Sequence, residues 1–372
     1  MLVQDLGIIG GGQLAWMMAR AASKLGVNLY IQTPKDDDPA IKIAKDIVLA
    51  DISDSQATEK LANFAKVITF ENEFVDLEAL EALENNGICF RPSISSLKPL
   101  LDKLQQREFL RSQAIPTPQF EPFNSLDQTL DYPVVLKARR GGYDGQGTFI
   151  IRDVNQLKAK SQQLQNIPFL VEQYIPFTKE LAVIAARSVT GEIAVYPVVE
   201  TFQENQVCRW VYAPAQISQD ISQQVEIIAS KLLTSLSYIG VMGIEFFLSD
   251  DGKVLVNEIA PRTHNSGHYS LDACSCSQFE MQLRAILGMP LGSSKLKSDS
   301  ALMVNLLGYE TSSSDYRAKR LELAKIANAH IYWYGKDQSK PGRKLGHVTI
   351  TPVEDQNPLK LAEQIEAIWR SN

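Results

Sequence analysis

Hydrophobic and polar positions alternate in two rhythms over the first ninety residues. Leu6-Gly7-Ile8-Ile9 is a continuous apolar run suited to a buried strand, and Gln13 to Leu25 repeats apolar residues at helical spacing. Asn28 to Gln32 predicts the next strand, Val67 to Phe70 a further one, and Val75 to Glu84 a helix. Strands alternating with helices predict a parallel sheet with crossover connections. Arg91-Pro92 marks a break, after which a helix from Leu97 to Ser112 is expected to lead out of this unit.

The pattern then changes. Between Tyr132 and Val199 most apolar runs are short and predict strands: Val134–Ala138, Thr148–Arg152, Phe169–Gln173, Leu181–Arg187 and Ile193–Val199. Glycine-bearing turns such as Gly141–Gly147 and Thr190-Gly191-Glu192 separate them, which fits antiparallel pairing. Helices are expected over Val154–Leu164 and Ile217–Leu236. The Ser/Lys-rich stretch from Gly292 to Ser300 reads as a linker, and Ala301 to Asn372 as short strands with a closing helix near Pro358–Arg370.

At 372 residues the chain is long enough for two or three packed units. Its 37 basic and 43 acidic residues leave a net charge of −6, which argues against a broad basic surface for nucleic acid. A local cationic pocket stays open. No apolar run approaches the ~20 residues of a membrane span, and the stretch beginning at Met1 is cut at Gln4-Asp5, too soon for a signal peptide. The four cysteines, Cys89, Cys208, Cys274 and Cys276, lack zinc-knuckle spacing and read as reduced thiols. A cytoplasmic protein with no nucleic-acid or membrane partner is expected.

Five segments carry candidate chemistry. Gly10-Gly11-Gly12-Gln13-Leu14-Ala15 lies between a predicted strand and helix and contains G-x-G-x-x-A, a loose dinucleotide fingerprint. An NAD-dependent dehydrogenase also needs a carboxylate ending the second strand, and Ile31-Gln32-Thr33-Pro34 has none. A phosphate or other polar substrate group at the helix N-terminus is the favoured use, with tight strand–helix packing as the alternative. Further on, Lys137 ends a strand and precedes Gly141-Gly142-Tyr143-Asp144-Gly145-Gln146-Gly147, four glycines in seven residues. No G-K-[ST] closes this loop and a strand follows it, so a hairpin lid over a nucleotide fits better than a Walker A loop.

The third segment, Gly243 to Ile259, reads as two strands joined by Asp251-Gly252, a pair favoured in two-residue type I′ turns. That turn pairs Asp250 with Lys253 and Ser249 with Val254, and so sets Glu245 opposite Glu258. Facing carboxylates ~5 Å apart repel, and a hard divalent cation shared with substrate phosphates is the natural neutraliser. Solvent-facing carboxylates, or a bulge that shifts the register, are the alternatives. Next comes Arg262-Thr263-His264-Asn265-Ser266-Gly267-His268, where the histidines have i,i+4 spacing but Asn-Ser-Gly argues for a loop. Substrate contact fits it better than zinc. Last, Lys336, Arg343 and Lys344 around Pro341-Gly342 form a candidate anion pocket, with a solvated charge cluster as the alternative.

From Ile8-Ile9-Gly10-Gly11-Gly12-Gln13-Leu14 to Gly342-Arg343-Lys344-Leu345-Gly346-His347 the chain resembles the ATP-grasp superfamily, and within it the N5-carboxyaminoimidazole ribonucleotide synthetases. Gly141–Gly147 and Asn257–His268 carry the most specific likeness. The resemblance implies an α/β (α+β) ATP-grasp fold. Residues 1–98 would form a Rossmann-like domain, 99–292 the two-lobed ATP-grasp domain with its lid, and 293–372 a small C-terminal domain. It implies ATP, bicarbonate and 5-aminoimidazole ribonucleotide as substrates, Mg²⁺ as cofactor, carboxyphosphate as intermediate and a homodimer. For ATP it implies Lys103, Lys137, the loop Gly142, Tyr143, Asp144, Gly145, Gln146, Gly147 and Thr148, then Glu172, Gln173, Tyr174, Ile175, Glu180, Gln203, Asn257 and Glu258. Glu245 and Glu258 would bind the metal. The ribonucleotide would meet Gly11, Gly12, Gln13, Leu14, Glu73, Arg262, His264, Asn265 and Ser266, with Lys336, Arg343 and Lys344 at its phosphate. Tyr143, Asp144 and Arg262 would be catalytic.

The chain departs from the family pattern in three places. Ala15 replaces a glycine, Lys103 and Arg107 exchange the usual order of cations, and Gln203 stands where histidine is common. The competing functions are a formate-dependent glycinamide ribonucleotide transformylase, an NAD-dependent dehydrogenase and a non-catalytic nucleotide-binding module.

Overall fold

A computed structural model describes residues 4–141, 147–164, 167–352 and 357–371. The first unit is a four-stranded parallel sheet made of β1 (Gln4–Ile9), β2 (Val27–Thr33), β3 (Asp46–Leu49) and β4 (Val67–Phe70), in the order β3-β2-β1-β4. β1 and β4 read from the sequence as fully apolar runs because helices cover both faces. The helix Gln13–Leu25 presents Met17, Met18 and Ala22 to Leu6 and Ile8, and Phe279, Leu283 and Ile286 of the Gln278–Leu287 helix close the same cluster. Each large side chain buried there contributes roughly 2 kcal/mol.

The expected helix from Leu97 to Ser112 is two helices, Ile94–Leu97 and Lys103–Ser112. Pro99 lies between them and cannot donate to a helical ladder. Asp102 then restarts the helix, its side chain accepting from the Leu104 and Gln105 backbone. The expected helix Val154–Leu164 is likewise interrupted at Lys160.

A small antiparallel sheet follows: β5 (Phe120–Phe123), β6 (Val134–Ala138), β7 (Thr148–Ile151) and β8 (Phe169–Gln173), in the order β5-β8-β6-β7. The second lobe is built on β9 (Phe177–Arg187), β10 (Ile193–Val195), β11 (Val199–Glu204), β12 (Val207–Ala213), β13 (Gly240–Ser249) and β14 (Val254–Ala260). The single strand expected over Ile193–Val199 is split between β10 and β11, with Pro197 in the gap. The C-terminal strands β15 (Ala301–Leu307), β16 (Ala329–Trp333) and β17 (Lys344–Ile350) do not form a separate sheet. β15 pairs with β12, so one sheet runs β14-β13-β9-β11-β12-β15-β17-β16, with β10 added on β9. Hydrogen bonding therefore crosses the Gly292–Ser300 linker without a break in the sheet.

Candidate functional site

A cleft of about 1130 Å³ lies between the small sheet, the large sheet, the first unit and the β16–β17 turn. The β13–β14 hairpin supplies one wall. Its loop has three residues, Asp250-Asp251-Gly252, in place of the expected two-residue turn: Ser249 N–H donates to the Lys253 carbonyl at 3.0 Å. Gly252 takes φ +79°, a conformation that only glycine adopts without strain. The longer loop shifts the register by one, so Phe246 faces Val256. A bulge at Asn257 then shifts it back, and Glu245 faces Glu258 as the pattern predicted, by another route.

The bulge lets two successive side chains, Asn257 and Glu258, line the same cleft. Lys137 on β6 reaches across with Nζ 2.9 Å from Asn257 Oδ1 and 2.8 Å from Glu172 Oε2. Lys103, at the start of its helix, donates to Glu258 Oε1 at 2.6 Å. Arg107, one helical turn on, binds Glu172 Oε1 at 2.5 Å and also donates to the Asn257 carbonyl. Burial pushes the Glu172 carboxyl up, but Arg107 and Lys137 outweigh it and hold the group at about 2. Burial also lowers Lys137, against the attraction of Glu172. Across the hairpin, burial and then the facing Glu258 push Glu245 up to about 8, whereas Lys103 keeps Glu258 ionised.

Gln173, Tyr174 and Ile175 continue along the cleft from β8, and Glu180 lines it from β9, its carboxyl raised to about 7 by burial. Gln203 of β11 and Thr148 of β7 line the cleft as well. Lys137 pairs Thr148 across the β6–β7 hairpin. Gly147 accepts from the Ala138 backbone at 2.7 Å. Gly142, Tyr143, Asp144, Gly145 and Gln146 lie outside the described residues. Phe177 and Phe247, stacked at 4.7 Å, add an apolar surface with Ile150 that sequence reasoning did not single out. Only their β register brings them together, so no local signal marks them.

The glycine loop departs from expectation. The N-terminus of the Gln13–Leu25 helix already holds an anion, the carboxylate of Glu71: Oε2 accepts from Gly12 N–H at 2.8 Å, and Oε1 from Leu14 at 3.1 Å and Ala15 at 3.5 Å. A Cβ at Gly12 would stand 2.5 Å from Glu71 Oε1, so that glycine serves the protein's own carboxylate. Gly11 packs on Thr33 and Asp38 and does not line the cleft, whereas Gly12, Gln13 and Leu14 do. Glu71 was missed because it lies 59 residues from Gly12 and looks like any strand-end acid.

Arg262 grips Glu73 with two hydrogen bonds, Nε to Oε2 at 2.5 Å and Nη2 to Oε1 at 3.1 Å. His264 has Nε2 3.7 Å from Glu245 Oε1 and Nδ1 2.9 Å from Ser266 Oγ. Burial, with Arg262 and Lys344 nearby, lowers its imidazole to about 3, so it is neutral at pH 7. Asn265 exchanges amide hydrogen bonds with Asn305 at 2.9 Å. From the opposite side come Lys336, whose Nζ donates to the Lys344 carbonyl at 2.7 Å, Arg343 and Lys344.

Two β lobes around a strand-borne lysine and facing carboxylates define an ATP-grasp enzyme. Family models agree along the chain: a ribonucleotide synthetase preATP-grasp domain matches residues 3–99, an ATP-grasp domain 108–279, and a phosphoribosylaminoimidazole carboxylase C-terminal domain 301–358. The N5-carboxyaminoimidazole ribonucleotide synthase of Synechococcus elongatus is 52% identical over 99% of this chain and 96% of its own length. The carboxyaminoimidazole ribonucleotide synthase of Aspergillus clavatus, solved with ATP, superposes with a TM-score of 0.92 at 31% identity, covering 99% of this chain and 98% of that one. A second structure from A. clavatus, with ADP and 5-aminoimidazole ribonucleotide, gives 0.91 at 30% identity and the same coverage. The chain belongs to the N5-carboxyaminoimidazole ribonucleotide synthase family. No helix among the described residues is long and apolar enough to cross a membrane.

Proposed function

We propose that this chain couples ATP cleavage to carboxylation of the exocyclic amine of 5-aminoimidazole ribonucleotide, giving N5-carboxyaminoimidazole ribonucleotide in purine biosynthesis. The observation that carries this reading is one cleft with two anion grips. Lys103 and Lys137 pair with Glu258 and Glu172, and Lys336, Arg343 and Lys344 enter the same cleft from the β16–β17 turn. Each grip suits one phosphorylated substrate. A bicarbonate oxygen attacks the γ-phosphorus and ADP leaves. The amine then takes the carboxyl carbon and phosphate is released. Positioning and charge neutralisation supply most of the catalysis in such a transfer.

In this reading Lys103, Lys137, Gly147, Thr148 and Asn257 meet the nucleotide phosphates. Glu172, Gln173, Tyr174 and Ile175 edge the adenine, Glu180 meets the ribose, and Gln203 closes that side. Gly12, Gln13, Leu14, Glu73, His264, Asn265 and Ser266 meet the ribonucleotide, and Tyr143, Asp144 and Arg262 act at the reacting groups. The donor set suits Mg²⁺, since Glu245, Glu258 and Asn257 offer hard oxygens and a divalent ion there would offset the burial and the facing Glu258 that push Glu245 up. Glu245 and Glu258 would hold the ion, which would neutralise charge on the phosphate oxygens. We further propose a cytoplasmic homodimer, on the family resemblance.

An ADP-release assay tests the reading. ADP should appear only when bicarbonate and 5-aminoimidazole ribonucleotide are both present. Release with formate and glycinamide ribonucleotide in their place would sink it in favour of the transformylase.

A further inference from the structure

The loop Arg262–His268 is shaped from behind by Gln278, a fully buried residue that opens the Gln278–Leu287 helix. The orientation of its amide is set by the His264 backbone. Oε1 accepts from the His264 N–H at 2.9 Å, and Nε2 donates to the His264 carbonyl at 2.7 Å. A flipped amide would put N–H against N–H and oxygen against oxygen. The same Nε2 lies 3.0 Å from Nδ1 of His268. An amide NH₂ only donates, so Nδ1 of His268 accepts and its single ring proton sits on Nε2. Burial, with His347 alongside, keeps that ring neutral.

His268 is itself fully buried and belongs to the cleft lining, yet its Nε2 has no hydrogen-bond partner among the described residues. Its ring packs 5.0 Å from that of His347 on β17, whose Nδ1 is 2.8 Å from Tyr334 Oη. Beside it Asn265 clasps Asn305, and Asn305 is the partner of His347 in the β15–β17 register. One contact thus ties the loop to the strand that starts at Lys344, and the other ties it to β15, which that strand pairs with.

We propose that Gln278 is a positioning residue for the phosphorylated acceptor: it sets the Nε2–H tautomer of His268 and the seat of His264, holding the loop at fixed spacing from the β17 cations. This rests on the reading above that loop and cation turn grip one substrate. The nucleotide contacts proposed above come chiefly from β6, β8 and β9, so the loss of Gln278 bears more on the acceptor than on the nucleotide.

The test uses the full chain labelled with ¹⁵N-histidine, whose four histidines make assignment direct, together with the variant Gln278→Glu. Long-range ¹H–¹⁵N spectra of the wild type should show His268 protonated on Nε2 and bare on Nδ1. Protonation of Nδ1 in the wild type overturns the proposal, whether or not the variant folds. A carboxylate at 278 cannot donate, so in the variant the His268 proton should move to Nδ1 or a second one should bind. KM for 5-aminoimidazole ribonucleotide should then rise roughly tenfold, the effect of one lost hydrogen bond, with a clearly smaller change in KM for ATP. An equal rise in both constants, or in neither, also overturns the proposal. If the wild type turned over no aminoimidazole ribonucleotide, the proposed reaction would fail while the tautomer result stood.

Discussion

Glu172 carries two cations on one carboxylate, Lys137 on Oε2 and Arg107 on Oε1, and all three side chains are nearly inaccessible to solvent. Its carboxyl is depressed from 4.5 to about 2. Between those two values the unfolded chain binds the proton and the native one does not, so stability rises with pH through that window and levels off above it. Removing the charge leaves Arg107 and Lys137 buried without their partner, and Glu172→Gln should cost about 3 kcal/mol or more near neutral pH. Thermal midpoints from pH 2 to 7 check both points: the variant should melt lower at pH 7 and lose part of the acid-side slope. Lys137 was legible because it ends an apolar strand just before a glycine-rich loop. Arg107 entered the sequence reading only as a neighbour of Lys103, since its acceptors lie 65 and 150 residues away and no local pattern encodes them.

Two elements show how a motif can be recognised while its physics differs. The Gly10–Ala15 stretch has the spacing of an anion-binding helix start, and it does bind an anion, but that anion is Glu71. Alanine at 71 should free the site. Inorganic phosphate is therefore expected to raise the melting temperature of Glu71→Ala more than that of the wild type. Equal shifts in a thermal-shift titration would show that the helix terminus stays closed to anions. The hairpin teaches the complementary lesson. Facing glutamates were expected from a two-residue turn and are found with a three-residue turn plus a bulge. Turn length follows from whether Asp250 joins the loop, and bulges answer to packing between strands; neither is written locally. The two displacements have opposite sign, which is why the carboxylate pair was reached in spite of them.

At the scale of the molecule, apolar clusters and sheet hydrogen bonds run across the boundaries at which the sequence changes texture. The cluster under β9, β13 and β14 includes Ile68, Phe70 and Phe90 of the first unit. β12 pairs with β15 across the linker. Calorimetry of the intact chain should accordingly show no separate transition for residues 293–372. An early, low-enthalpy peak assigned to that segment would contradict the shared sheet. Element order along the chain was readable; the pairing of β12 with β15 was not, because a linker gives no information on which strand edge receives the next strand.

That shared sheet has a geometric consequence. β14, which bears Glu258, and β17, which bears Lys344, are six strand steps apart in the hydrogen-bonded order. Laid flat, at ~4.8 Å per step, they would be separated by ~29 Å. Both residues nevertheless line one cleft, and Lys344 is near enough to Glu245 and His264 to influence their protonation. The sheet must therefore coil as twisted sheets do, and its concave face forms one side of the cleft. The span of that face is governed by the coiling of the strands, so a mutation that flattened β11 or β12 would part the two anion grips without touching either.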